Sequence, residues 1–250
     1  MRILFAVESG SRAWGFESPD SDYDVRFVYV HEPSWYQAVD LEERRDVIEY
    51  PIVDDIDLKG WDVRKALRLF WKSNPAFVEW IQSPIVYLDQ DAFRQRAIEA
   101  LPTIYRPHRG IYHYRSMAKT NYRGYLQKPT VRLKKYFYVL RPLLAARWID
   151  RTQGAPPIEF AKLMTALEGE PAVVAAIGTL LEKKRVTAEL GLAESVPELN
   201  AFIEAELDRH IEVAPEEPRT SSVVDLLNDI FQQSLYGYGS NTSLECAREQ

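Results

Sequence analysis

One cysteine, Cys246, serves the whole 250-residue chain, which excludes an internal disulfide and a cysteine metal cluster. Any metal must therefore sit on carboxylates or on the four histidines. Long apolar runs are also missing. The most apolar stretch, residues 136–149, is interrupted by Arg141 and Arg147, short of the roughly 18 residues a membrane helix needs, so no membrane partner is expected. Ile3 to Val7 are apolar, but Glu8 follows at once, unlike the apolar core of a secretory signal, and a cytoplasmic location is expected. The 11 Gly and 15 Pro show no period, and 46% hydrophobic with 27% charged residues excludes collagen, coiled coil and bulk disorder. What is left is a globular chain long enough for one large or two small domains.

Charge carries more information by position than in total. The net charge is -6, yet residues 101–151 hold twelve Lys and Arg against Asp150 alone, so this band is +11 and the remainder -17. Nine aromatics are interleaved with those cations, including Tyr112, Tyr125 and Tyr138. Cations for phosphates and rings for bases suit a nucleotide or a single-stranded nucleic acid. The competing reading is a helical pair with an aromatic core, expected for at least half of Tyr136, Phe137, Tyr138 and Trp148. A solvated face usually mixes signs, however, so twelve to one points to an anionic ligand.

Apolar and β-branched runs predict strands at Ile3–Val7 and Tyr23–Val30, as a hairpin or neighbouring pair, with a loop and short helix between them. Further β structure is expected over 47–53, 56–58 and 85–88, with Pro51 limiting the first of these. Val63, Ala66, Leu67 and Phe70 recur at helical spacing over 62–72, and Asn74-Pro75 suits the cap and first position of a second helix. Beyond Asp91 no strand pattern is evident; helices are expected over 112–126, 131–148, 159–167, 172–184 and 223–235. Pro156-Pro157, Pro197, Pro215 and Pro218 mark their connections, and Ser240 to Gln250 are expected to fray. The fold class expected is α+β, with residues 1–100 forming a mixed sheet with helices and residues 101–250 a helical bundle.

The chemistry lies early in the chain. Asp22 and Asp24 stand two residues apart at the start of a strand, where alternation puts both carboxylates on one face about 7 Å apart. Asp-x-Asp alone is commonly just a pair of loop aspartates. Here Gly10-Ser11 precedes it, after a strand and before a short helix, where glycine lets the backbone approach closely and exposed amides with a hydroxyl can cradle phosphate.

Together, Gly10-Ser11-x10-Asp22-Tyr23-Asp24 resembles the signature of the DNA polymerase β nucleotidyltransferase superfamily. That superfamily usually adds a third carboxylate between apolar residues on a later strand; Ile56-Asp57-Leu58 has this form, with Asp54 and Asp55 as rivals. More narrowly, Glu8–Phe16, Asp20–Phe27, Gly60–Leu67, Lys72–Pro75, Tyr112–Ala118 and Lys134–Pro142 are similar to bacterial and phage polymerase-β-family proteins of RNA repair. The similarity spans about residues 3–150.

The resemblance implies a metal-dependent nucleotidyltransferase using two Mg²⁺ or Mn²⁺ ions, with Asp22, Asp24 and Asp57 as metal ligands and catalytic groups. Ser11 and the amides near Gly10 would hold the β and γ phosphates of a nucleoside triphosphate, and pyrophosphate would leave. Arg12 is a further phosphate candidate or a plain surface residue. Arg115, Lys119, Lys134 and Lys135 are the band residues chosen to meet the triphosphate or acceptor, while His113 is left outside catalysis. The acceptor expected is an RNA 3′ end, of tRNA or another RNA. A protein hydroxyl, a small molecule, or a non-catalytic nucleotide or RNA-binding module are the alternatives; the basic band argues against a cationic small-molecule acceptor.

Overall fold

The computed structural model describes residues 1–186, 192–211 and 220–237; Cys246, Pro215, Pro218 and the segment 240–250 lie outside them. The sheet begins with β1 (Arg2–Glu8), followed by the short helix α1 (Gly10–Trp14) and β2 (Tyr23–Val30). Next come β3 (Val47–Glu49), ending ahead of Pro51, and β4 (Ile56–Asp62), four residues longer than the apolar run suggested. Helices α2 (Val63–Trp71) and α3 (Pro75–Ile81) precede the edge strand β5 (Val86–Asp89). Strand order is β3-β4-β2-β1-β5; β2 and β4 are parallel and the other neighbours antiparallel. This is the mixed sheet expected of a polymerase-β-like domain.

Capping explains the helices that follow the sheet. The Asp62 side chain accepts from Arg64 N–H at 2.8 Å and starts α2, while Asn74 accepts from Ala76 and Phe77 N–H with Pro75 at the first helical position of α3. Helix α2 buries Val63, Ala66, Leu67 and Phe70, the residues whose spacing predicted it.

The second half is largely helical: α4 (Phe93–Ile104), α5 (Pro107–Tyr125), α6 (Lys135–Thr152), α7 (Phe160–Leu163), α8 (Pro171–Val186), α9 (Pro197–Asp208) and α10 (Ser221–Tyr236). Two of these, α4 and α9, lie where no helix was expected. The absence of strands beyond Asp91 is corrected by β6 (Thr130–Arg132) and β7 (Leu192–Glu194), an antiparallel pair. Each is three residues long, and β6 buries only Val131, too little to register as a periodic pattern. It also takes the first turn of the helix expected from residue 131, so α6 starts at Lys135.

Helices α5 and α6 pack along one another, and Tyr136 and Phe137 are core residues, as half of the aromatic group was expected to be. A buried polar knot joins them to α3: Arg141 Nη1 and Tyr114 Oη each donate to Glu79 Oε1 at 2.9 Å. Helix α10 returns across the chain to pack on α2 and α4, where Arg2 donates to Ser234 O at 2.8 Å. No described helix is long and apolar enough to cross a membrane.

Candidate active site

The loop after β1 is held against β2 by backbone pairing, with Ser9 N–H donating to Asp24 O at 2.8 Å. Gly10 then turns at φ +60°, and a Cβ there would fall 1.8 Å from Asp24 Oδ2. Glycine is therefore dictated by conformation and by space, and its Cα rests directly on a carboxylate. Gly10 and Ser11 begin α1, whose first amides have no acceptor within the helix.

A cavity of about 380 Å³ opens here, lined by Ser9, Gly10, Ser11, Asp22, Asp24 and Arg26 from the sheet half. Its lining also includes Lys134, Phe137 and Tyr138 from the start of α6, Lys184 from α8, and Ser18 and Ser21. Gly10, Ser11, Asp22, Asp24 and Lys134 are thus brought together. Of these, Lys134 comes from the helical half.

Asp24 lies directly across from Asp57 in the parallel β2/β4 register. Arg26 stands between them: Nη2 donates to Asp24 Oδ1 at 2.7 Å and to Asp57 Oδ2 at 2.8 Å, while Nη1 donates to the carbonyls of Val25 and Asp57. Asp54 and Asp55 occupy the tight turn before β4 in left-handed conformations, at φ 49° and 62°. Asp57 is therefore the one of the three tied to Asp24, although it does not line the cavity. Among the described residues, Asp22, Asp24 and Asp57 do not gather into a three-ligand metal group, and Asp24 and Asp57 are instead bridged by the Arg26 guanidinium.

The fit of a metal rests on the donors that do face the cavity. Asp22 and Asp24 offer hard carboxylate oxygens beside the Ser11 hydroxyl. Magnesium commonly binds through one or two carboxylates plus substrate phosphates and water, and this set suits it. Burial raises the pKa of Asp24; Arg26 lowers it, and Asp57, Glu8 and Asp22 raise it further.

Several residues escaped sequence reasoning. Glu8 is fully buried, accepts from Asp24 N–H at 2.9 Å and from Tyr87 Oη–H at 2.5 Å, and so fixes the backbone that carries Asp24. A charged residue closing an apolar strand was the available signal. Lys184 donates to Phe16 O at 2.6 Å, and burial lowers its pKa. No local pattern relates it to a loop 168 residues away.

The other basic candidates sit elsewhere. Arg12 donates to the carbonyls of Ser21 and Asp22 and lies 3.9 Å from the Tyr23 ring, bracing the loop beneath Asp22. Lys135 lies over the Tyr125 and Tyr138 rings at 4.2 and 4.6 Å, at the cavity edge. Arg115 and Lys119 do not reach the cavity. They line a separate groove with His108 and Tyr112, because steps of three and four residues put these positions on one stripe of α5 that meets the end of α9.

A profile of the RNA repair pathway DNA polymerase beta family, RlaP, matches residues 1–233. A Bacillus subtilis (strain 168) protein, "Uncharacterized protein YcgL", is 48% identical over 216 residues, covering 86% of this chain and 82% of its own. The chain belongs to the RNA repair pathway DNA polymerase beta family.

Proposed function

We propose that the protein is a metal-dependent nucleotidyltransferase that moves a nucleoside monophosphate from a nucleoside triphosphate to an RNA 3′ end and releases pyrophosphate. The observation that carries this reading is the cavity itself, about 380 Å³, whose lining combines the acidic pair Asp22 and Asp24 and the Gly10-Ser11 turn with Lys134 and Lys184. A triphosphate brings about four negative charges and needs cations on more than one side if its α-phosphorus is to be attacked.

In this reading Asp22 and Asp24 hold divalent cations, Mg²⁺ or Mn²⁺, with Asp57, linked to Asp24 through Arg26, as the third acidic group. The ions, when bound, supply charge neutralisation and alignment of the attacking and leaving oxygens. Ser11 and the free amides of Gly10 and Ser11 hold the terminal phosphates, while Lys134 and Lys184 offset their charge. The acceptor hydroxyl forms a bond to the α-phosphorus as the bond to the pyrophosphate oxygen breaks, and its proton passes to the acidic group or to solvent, with Asp57 the candidate for that relay if Arg26 releases it. No covalent enzyme intermediate is needed, since positioning and charge stabilisation supply the acceleration. Residues 1–100 then act as the catalytic unit and 101–250 as the nucleotide- and acceptor-binding unit, in the cytoplasm.

The test is incubation with Mg²⁺ or Mn²⁺ and each α-labelled nucleoside triphosphate, with and without tRNA and short RNA, beside Asp24→Asn. Label on RNA with wild type alone supports the reading and identifies the base. Label on protein moves it to a polypeptide acceptor, and absence of label on any acceptor overturns it. Because the fold already disfavours charge on Asp24, Asp24→Asn is expected to stay folded.

A further inference from the structure

We propose that the groove between α5 and the end of α9 holds the phosphate backbone of the RNA acceptor, separately from the cavity at Asp24. This rests on the RNA-acceptor reading and gives it a location. The groove encloses about 960 Å³ and shares no lining residue with the cavity. Five Lys or Arg side chains line it against Asp208 alone, together with His108, His113 and His210, three of the four histidines in the chain. A solvated surface mixes signs more evenly than five to one.

Four of the five cations divide into builders and binders. Arg115 donates to the carbonyls of Glu206 and Leu207 at 3.2 and 2.6 Å, covering the negative end of α9 that would otherwise face the groove. Arg209 is engaged by Asp150 and Glu206. Lys72 and Lys119, by contrast, are exposed and, among the described residues, have no side-chain partner. Tyr112, 72% exposed on the same stripe, offers a ring face of the kind on which bases stack.

Extent selects the ligand. The stripe from His108 to Lys119 covers eleven helical steps, about 16 Å, whereas a stacked strand presents a phosphate about every 3.4 Å. A run of about five nucleotides fits that spacing, and the phosphates of one free nucleotide do not. The inferred ligand is therefore an RNA strand.

The test uses the full chain and a fluorescent, 3′-blocked single-stranded RNA of about twelve nucleotides. Lys72→Glu/Lys119→Glu should weaken RNA binding about tenfold or more and flatten the log–log salt slope by about 1.4. Tyr112→Ala should weaken it about tenfold, with recovery in Tyr112→Phe. Triphosphate affinity and the melting temperature should hold. Wild-type RNA affinity and salt slope in the double variant would overturn the groove, as would loss of triphosphate affinity alone or a wild-type protein that binds no RNA. The two readings separate cleanly. RNA transfer with unchanged KM in the double variant leaves the acceptor reading standing without the groove, and groove-dependent RNA binding without transfer does the reverse.

Discussion

The Cα of Gly10 rests on the carboxylate of Asp24, so closely that an added methyl would fall 1.8 Å from Oδ2. The contact joins the end of the first loop to β2, and φ +60° at Gly10 makes any side chain there strained as well as obstructed. Gly10→Ala should cost about 1–3 kcal/mol in urea unfolding and, by displacing Asp24, at least about 100-fold in transfer rate. Wild-type transfer by this variant would show that the position of Asp24 is not critical.

Arg26 makes a second prediction possible. Arg26→Ala removes four hydrogen bonds, leaves Asp24 and two carbonyls without this donor, and leaves Asp57 with Lys59 at 3.7 Å as its cationic partner. A loss of about 2–4 kcal/mol is expected. Added Mg²⁺ should raise the melting temperature of the variant more than that of wild type, because a cation can then offset Asp24 and Asp57 together. An equal response of both proteins to Mg²⁺ would argue against a shared negative field at this pair.

Lys184 links the helical half to the loop around Phe16 and also faces the cavity. Lys184→Ala is expected to raise the KM for nucleoside triphosphate about tenfold, the size of one charge-assisted contact, with partial recovery in Lys184→Arg. RNA affinity should not change. A loss confined to thermal stability would restrict Lys184 to holding Phe16 O.

Stability should fall as the solution is acidified from pH 7.5 to 5.5. Burial lowers the pKa of His31, which stacks on Trp35 at 4.0 Å, and burial followed by Arg109 lowers that of His113. The unfolded chain takes up these protons near pH 6.5 and the folded chain only at lower pH, so between those values the unfolded state binds more protons. The stabilisation is complete above pH 6.5 and declines below it. His31→Phe should keep the stack and reduce the decline, as measured by urea midpoints at the two pH values; an unchanged slope would remove His31 from the account.

How much of this was legible in the sequence depended on distance along the chain. The β1–α1–β2 unit was readable because its signals are local: an apolar run, a glycine at a turn, and carboxylates two apart on a strand. The expected grouping of Gly10, Ser11, Asp22 and Asp24 needs only that unit, and the cavity contains all four. Arg26 was passed over, although its place two residues beyond Asp24 puts it on the same face. The basic band was visible as a composition, but its division between a cavity and a separate groove depends on which side of α5 and α6 each residue occupies. Lys184 was unreadable for another reason, since its contacts exist only after α8 has folded back on the first loop.

The return of α10 to α2 and α4 also has a bearing on synthesis. The sheet half is translated first, yet part of its covering is the last described helix, which brings Phe231 against Tyr36 and Ser234 against Arg2. A nascent chain released from the ribosome as far as β5 still bares that apolar face. The sheet half therefore completes its packing only once the chain as far as Tyr236 is available to fold back on it.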